Sequence, residues 1–212
     1  GRTLSEVPSP GAQGSSEWYR KRIGKATASR FADAINFRKD GKESAKRYDY
    51  RMELVIERLT GEPSEHYVSE YMLWGSDQEK AARMAYETAT GNLVIVPGFL
   101  EHPTIQLCGG SPDGLIDDDG LLEMKAPTSA THIETILAEE CEHLPQIQGN
   151  LACTGRKWCD FVSFDPRLPR HLQLYITRIM RDDAYIEKLE LGVKMFLAET
   201  DKMHTKLMQR SA

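Results

Sequence analysis

Apolar residues recur at helical spacing through most of the first ninety positions. The pattern predicts a helix from Ser15 or Ser16 that holds Trp18 and Tyr19. A second is expected from Thr27, a residue type suited to N-capping, through Phe31 and Ile35. Tyr48, Met52, Val55 and Leu59 define a third over 43–60, closed by Gly61, and a fourth spans about 74–90 and stops at Gly91. The period then shortens. Residues 93–100, 104–109, 112–117 and 120–125 read as short strands separated by Pro and Gly. Helices return at 129–140 and 144–154, strands at 157–164 and 171–180, and a long amphipathic helix covers 182–208. This order predicts an α/β or α+β domain: a central mixed β-sheet flanked by helices.

Composition narrows the class. Of 212 residues, 40% are hydrophobic, enough for a real core and too many for wholesale disorder. The most apolar run, LVIVPGFL at 93–100, is too short to span a bilayer. GRTLSEVPSPGAQG lacks the apolar region of a secretory signal. The expectation is a soluble, cytoplasmic protein with a flexible tail over 1–14 and one domain over 15–212. Cys108, Cys141, Cys153 and Cys159 form no C-x-x-C pair and read as free thiols.

The formal net charge of −5 argues against a basic coat for nucleic acid. The charge is unevenly spread, however. Residues 20–51 carry eleven Lys and Arg against four acids, a surplus of +7, which leaves −12 for the rest. Such a block is either an electrostatic footprint for an anion or a solvated helical face.

The chemistry concentrates in SPDGLIDDDGLLEMKAP, residues 111–127. Glu123 and Lys125 are two apart on one strand and share a face, while Leu122 and Met124 take the other. A two-residue turn at Asp118–Asp119 would set Asp113 opposite Met124. A three-residue loop, Asp117–Asp119 with Gly120 in a bulge, sets Asp113 opposite Glu123. The second register is the expectation, because it alone brings two carboxylates together. Such a pair suits a hard cation such as Mg²⁺, with the Met124 carbonyl as a further ligand. The metal would polarise a phosphoryl oxygen, and Lys125 would hold the attacking water or balance charge on phosphorus. These parts suffice to hydrolyse a phosphodiester.

Pro112-Asp113…Glu123-Met124-Lys125 resembles the PD-(D/E)xK nuclease superfamily, which implies a restriction-endonuclease-like core. Further blocks resemble one branch of it, the lambda exonuclease family. They are Trp18-Tyr19-Arg20-Lys21-Arg22-Ile23-Gly24 with Thr27-Ala28-Ser29, Trp74-Gly75…Glu79, Ser111-Pro112-Asp113-Gly114, Glu123-x-Lys125-x-Pro127, Gln146-Ile147-Gln148 and Phe164-Asp165-Pro166-Arg167. They run in family order across about residues 15–180.

The resemblance implies Asp113 and Glu123 as metal ligands with the Met124 carbonyl, and Lys125 as the catalytic lysine. It implies Glu79 as a further member of the metal set, an acid reaching the metal-bound water, with Gln146 at the active site and Gln148 nearby as a DNA contact. Arg22 would bind the 5′-phosphate of the substrate strand, with Thr27 and Ser29 as hydroxyl donors; a helix opening at Thr27 would add its positive end. Arg38, Lys39 and Lys42 in the loop 37–42 would touch DNA. Taken singly, Glu79 also reads as a surface partner of Arg83 and Thr27 as a helix cap, while Trp18 and Trp74 read as core.

The implied activity is a Mg²⁺-dependent, processive 5′→3′ exonuclease on linear double-stranded DNA that leaves a 3′ overhang. Two ions per site are expected, with Mn²⁺ able to substitute. The resemblance further implies a homotrimeric ring around DNA and a single-strand annealing protein as partner. The alternatives are a restriction-type or repair endonuclease on the same core, and a DNA-binding recombination scaffold without catalysis.

Overall fold

The computed structural model describes residues 12–64 and 77–211. Trp74, Gly75 and the expected start of the fourth helix lie outside the described residues.

Helix α1, Ser16–Arg22, is capped by Ser15, whose Oγ accepts from the Trp18 amide. Strand β1 is only Ala26–Thr27. A 3₁₀ turn, Ala28–Arg30, leads into the single turn of α2, Phe31–Ala34. Helix α3, Ala45–Thr60, runs from a Ser44 cap to Gly61, which ends it in the left-handed conformation. Helix α4 is Asp77–Thr90. Strands β2 (Leu100–Glu101), β3 (Cys108–Gly110), β4 (Gly114–Ile116) and β5 (Gly120–Lys125) follow. Helices α5 (Ser129–Ala138) and α6 (Leu144–Thr154) precede β6 (Trp158–Phe164) and β7 (Leu174–Met180). Helix α7, Asp183–Met208, closes the fold. The result is α+β, as expected, with the strands divided between two mixed sheets of order β1-β3-β2 and β4-β5-β6-β7.

The four-stranded sheet is buried on both faces. Leu122, Met124, Val162 and Phe164 pack with Ala82 and Tyr86 of α4. Leu121, Cys159 and Phe161 pack on the opposite face with Ile147 and Leu151 of α6 and Ile186 of α7. Strand alternation therefore turns Glu123 and Lys125 toward α6. A third cluster joins α2, α3 and α7 over β1 and β3.

Several expectations are adjusted. The expected strand 93–100 yields one bridge, Ile95 to Leu115, and β2 at its end, because Pro97-Gly98 interrupts pairing. Residue pair Ala26–Thr27 was too short to show as a strand in the sequence. Gln13, within the expected tail, is held in place, its Nε2 donating to the Pro112 carbonyl at 2.9 Å. The four cysteines are unbridged. Among the described residues, no helix is long and apolar enough to cross a membrane.

The β4–β5 register is the expected one: Gly114 pairs with Leu122 and Ile116 with Gly120. The loop between them is Asp117–Asp119. The expected bulge at Gly120 is absent; Asp117 takes the left-handed conformation instead, at φ +46°. Gly120 is needed for another reason. A Cβ there would lie 2.2 Å from the Trp158 ring, over which the Arg178 guanidinium sits at 3.6 Å from the ring centre. Gly120→Ala is therefore expected to cost about 1–3 kcal/mol by overpacking, measurable as a lower urea midpoint.

Candidate active site

Extending the β4–β5 register by one position places Asp113 opposite Glu123. Asp113 Oδ2 accepts the Met124 amide at 2.7 Å, which fixes its carboxylate against β5. Glu123 is 3% exposed. Its Oε1 accepts from Gln146 Nε2 at 3.0 Å and lies 3.4 Å from Lys125 Nζ. Lys125 Nζ donates to Gln146 Oε1 at 2.9 Å. Gln146 thus ties the two strand residues to the first turn of α6, where Pro145 starts the helix without an N–H to lose. Glu123, Lys125 and Gln146 form a closed triangle beside Asp113.

The electrostatics are those of a site short of positive charge. Burial and the Glu123 carboxylate push Asp113 well above the usual carboxylate range. Glu123 is raised too, chiefly by burial, with Lys125 opposing. Two buried carboxyls this close resist ionising together. Glu79 on α4 belongs to the same field: burial and Asp113 raise it to about 7, with Arg83 opposing. The surface-pair reading of Glu79 is thereby incomplete, since Arg83 is the smallest of its influences.

Glu123 Oε2 is buried without a hydrogen-bond partner. An orphaned carboxylate oxygen beside a second carboxylate is the donor set a hard divalent ion completes. No third carboxylate, His or Cys closes the pair into a three-donor cluster among the described residues. Mg²⁺ suits such a sparse set, because it retains several waters.

Arg22 is 7% exposed. Its Nη1 donates to Ser111 Oγ at 2.7 Å, and its guanidinium lies 4.4 Å from the Trp18 ring centre. Trp18 Nε1 donates to the same Ser111 Oγ at 3.1 Å. Ser111 is two residues before Asp113, so α1 and the carboxylate pair are joined through one short segment. A narrow cleft of about 20 Å³ opens beside Arg22, lined also by Tyr19, Lys25, Thr27 and Arg30. Trp18 itself is core.

Other expected residues fare differently. Thr27 is buried; its amide donates to the Tyr50 hydroxyl and its Oγ1 lies 3.4 Å from exposed Ser29 Oγ. Thr27 opens only a 3₁₀ turn and makes no side-chain cap, so the helix-end argument for an anion falls away. Gln148 is turned inward rather than toward a DNA surface. It is buried, with Nε2 on the Met180 carbonyl and Oε1 on the Asp182 amide, stapling β7 to α7. The loop 37–42 is an exposed hairpin closed by Phe37 and Glu43. Lys39 and Lys42 point into solvent, while Arg38 pairs with Asp40.

Part of the +7 surplus is paired by acids from outside the segment: Glu17 with Lys21, Glu101 with Lys25, Glu53 with Arg30, and Glu199 with Arg47 and Arg51. Asp33 and Glu43, already counted within it, bind Arg30 and the Arg47–Arg51 pair. Sequence reasoning missed His143, three residues before Gln146. Burial and Lys125 lower its pKa to about 4, so it stands neutral beside the site. The i, i+3 spacing from Gln146 was the available signal.

Residues 17–157 match the YqaJ-like viral recombinase domain. No curated protein sequence matches the chain. The crystal structure of an alkaline exonuclease, LHK-Exo, from Laribacter hongkongensis is 43% identical, with a TM-score of 0.84 over 92% of this chain and 97% of that one. LHK-Exo in complex with dAMP superimposes with a TM-score of 0.82 at 43% identity, over 91% of this chain and 96% of that one. A phage-related exonuclease from Haemophilus somnus 129PT is 16% identical with a TM-score of 0.64, over 86% of this chain and 96% of that one, and shares the fold.

Proposed function

The chain belongs to the YqaJ-like viral recombinase domain family, and on that footing we propose that it is a metal-dependent exonuclease that degrades linear double-stranded DNA 5′→3′. The observation that carries the reading is the buried Asp113–Glu123 pair, with its orphaned oxygen, held beside Lys125 and Gln146. The 43% identity to an alkaline exonuclease supports the reaction class. The same relative's complex with dAMP supports a site that receives a deoxynucleoside monophosphate.

Asp113 and Glu123 are assigned to hold Mg²⁺, one ion or two, with the Met124 carbonyl as a further oxygen ligand. When bound, the ion supplies Lewis-acid polarisation of the phosphoryl oxygen and a more acidic water. Lys125, oriented by Gln146, stabilises negative charge developing on the phosphoryl oxygens. Glu79, poised near neutrality, takes the proton from the attacking water. Arg22 forks onto the terminal 5′-phosphate, with Thr27 and Ser29 hydroxyls beside it. Lys39 and Lys42, with Arg38 less available, steer the flanking duplex. Each product end is a new 5′-phosphate, which returns to Arg22, so the strand is removed processively and a 3′ overhang remains. A homotrimeric ring enclosing DNA, with an annealing protein taking over the overhang, completes the reading.

The test is digestion of linear duplex with Mg²⁺ or Mn²⁺, with and without EDTA, using 5′-phosphoryl and 5′-hydroxyl ends. Metal-dependent release of 5′ mononucleotides from linear DNA alone is expected. Cutting of covalently closed circles would replace the reading with an endonuclease. DNA binding without cleavage would leave a recombination scaffold. Sedimentation as a monomer would remove the ring. Arg22→Ala is expected to abolish the preference for 5′-phosphoryl ends, with about a 10²-fold loss on that substrate, since a charge-assisted fork is worth about 1.5–3 kcal/mol. An equal loss on 5′-hydroxyl ends would make Arg22 structural.

A further inference from the structure

Phe164-Asp165-Pro166-Arg167 is a conspicuous block that the proposed chemistry leaves unused. It lies where β6 ends, beside the point where β5 ends at Lys125, since Lys125 pairs with Ser163 in the parallel register. Lys125 is thus the last residue of its strand, and Ala126–Thr128 leave the sheet before α5 begins. Gln146 and Glu123 hold its ammonium, but the backbone that carries it stops being paired there and calls for an anchor of its own.

Asp165 and Arg167 supply one. Asp165 is fully buried. Its Oδ1 accepts from Arg167 N at 3.0 Å and Arg167 Nε at 2.8 Å. Its Oδ2 accepts from Ser129 Oγ at 2.5 Å, in the first turn of α5. Arg167 Nη2 then donates to the Pro127 carbonyl at 3.1 Å, two residues beyond Lys125. A second lock follows on α5, where buried His132 sits between Ser163 Oγ at 2.6 Å and the Leu172 carbonyl at 2.7 Å. The Ser129, Pro127 and His132 bonds join the segment after Lys125 to the end of β6 or the chain that follows it, while the two Arg167–Asp165 bonds brace the turn itself.

The Arg167 side chain is 64% exposed. An ion pair so exposed adds little to stability. Its geometry is nevertheless specific: one guanidinium spans a buried carboxylate and a backbone carbonyl, which a lysine ammonium does not reproduce.

We propose that Arg167, held by Asp165, is a positioning residue: by fixing the Pro127 carbonyl it sets the end of β5 and thereby where the Lys125 ammonium stands. The inference rests on the proposed nuclease reading. Its test separates the two, because absence of cleavage by the wild-type protein would sink that reading, whereas this inference is decided by variants of an active enzyme.

The experiment is a double-mutant cycle of Arg167→Ala and Lys125→Ala, with Arg167→Lys alongside, on 5′-phosphorylated linear duplex with Mg²⁺. Misplacing the lysine by about 1 Å should lower kcat about 10- to 100-fold, with KM changed less than about twofold. Arg167→Lys should be impaired as Arg167→Ala is. In the Lys125→Ala background the same Arg167 change should cost almost nothing, because the two act through one group. Additive losses would overturn the proposal. A raised, salt-sensitive KM with unchanged kcat, restored by Arg167→Lys, would make Arg167 a DNA contact instead. Loss of the folded state in Arg167→Ala would make the block a stability element and overturn the proposal too.

Discussion

Lys125→Met is expected to bind duplex DNA and barely cut it, with kcat lowered about 10³-fold and KM little changed. Met keeps the apolar stem of the side chain and removes the ammonium. That ammonium is held at 2.9 Å from Gln146 Oε1 and 3.4 Å from Glu123 Oε1, so it is oriented before substrate arrives. A preorganised charge stabilises the transition state without first reorganising, and its loss therefore falls on kcat. Single-turnover cleavage with Mg²⁺ measures it. A loss below tenfold would reduce Lys125 to a counter-ion for Glu123.

Glu123→Gln is expected to separate stability from function. Cleavage should fall to background, about 10³-fold or more as for removal of a principal charge-stabilising group, while the metal-free protein becomes more stable by about 1–3 kcal/mol, the cost of an unsatisfied buried polar group. The amide keeps the shape and the contact with Gln146 but relieves the crowding of two carboxylates. The pH dependence has a definite sign. Glu79 rises from the ordinary 4.5 to about 7 on folding, and Asp113 and Glu123 also rise. A carboxyl raised on folding leaves stability intact at low pH, where both states are protonated, and removes it as pH climbs through the folded value. The metal-free wild type should therefore lose thermal stability from about pH 4.5 to beyond 7. Mg²⁺ binds the ionised form, so the rise in Tm on its addition should be larger at pH 8 than at pH 6. In Glu123→Gln both the pH-dependent loss and the Mg²⁺ response should shrink. A pH-independent Mg²⁺ response would break the link between the carboxyl pair and the metal.

The hairpin was legible because strand geometry is strict. One residue of register decides whether Asp113 faces Glu123 or Met124, and only one loop length satisfies the pairing of acids. The reason for Gly120 was not legible, since the ring it admits belongs to Trp158, on the neighbouring strand. The same holds for charge. Glu199, which neutralises Arg47 and Arg51, lies about 150 residues away in the chain, so a local count overstates the basic surface. Gln148 follows Gln146 by two positions along a helix, which points it to a different side, onto Met180 and Asp182. Short elements, β1 above all, carry too little periodicity to register in sequence at all.

One contact has a wider consequence. Ser111 holds Arg22 and Trp18 from within the segment that also presents Asp113. In the proposed reaction the first fixes the strand's terminus and the second marks where the chain is cut. The span between them is then a ruler built into a few residues of backbone, rather than a distance between independently moving parts. Such a ruler delivers fragments of one length whatever the base sequence, and its calibration survives as long as Ser111, Pro112 and Asp113 move as one piece.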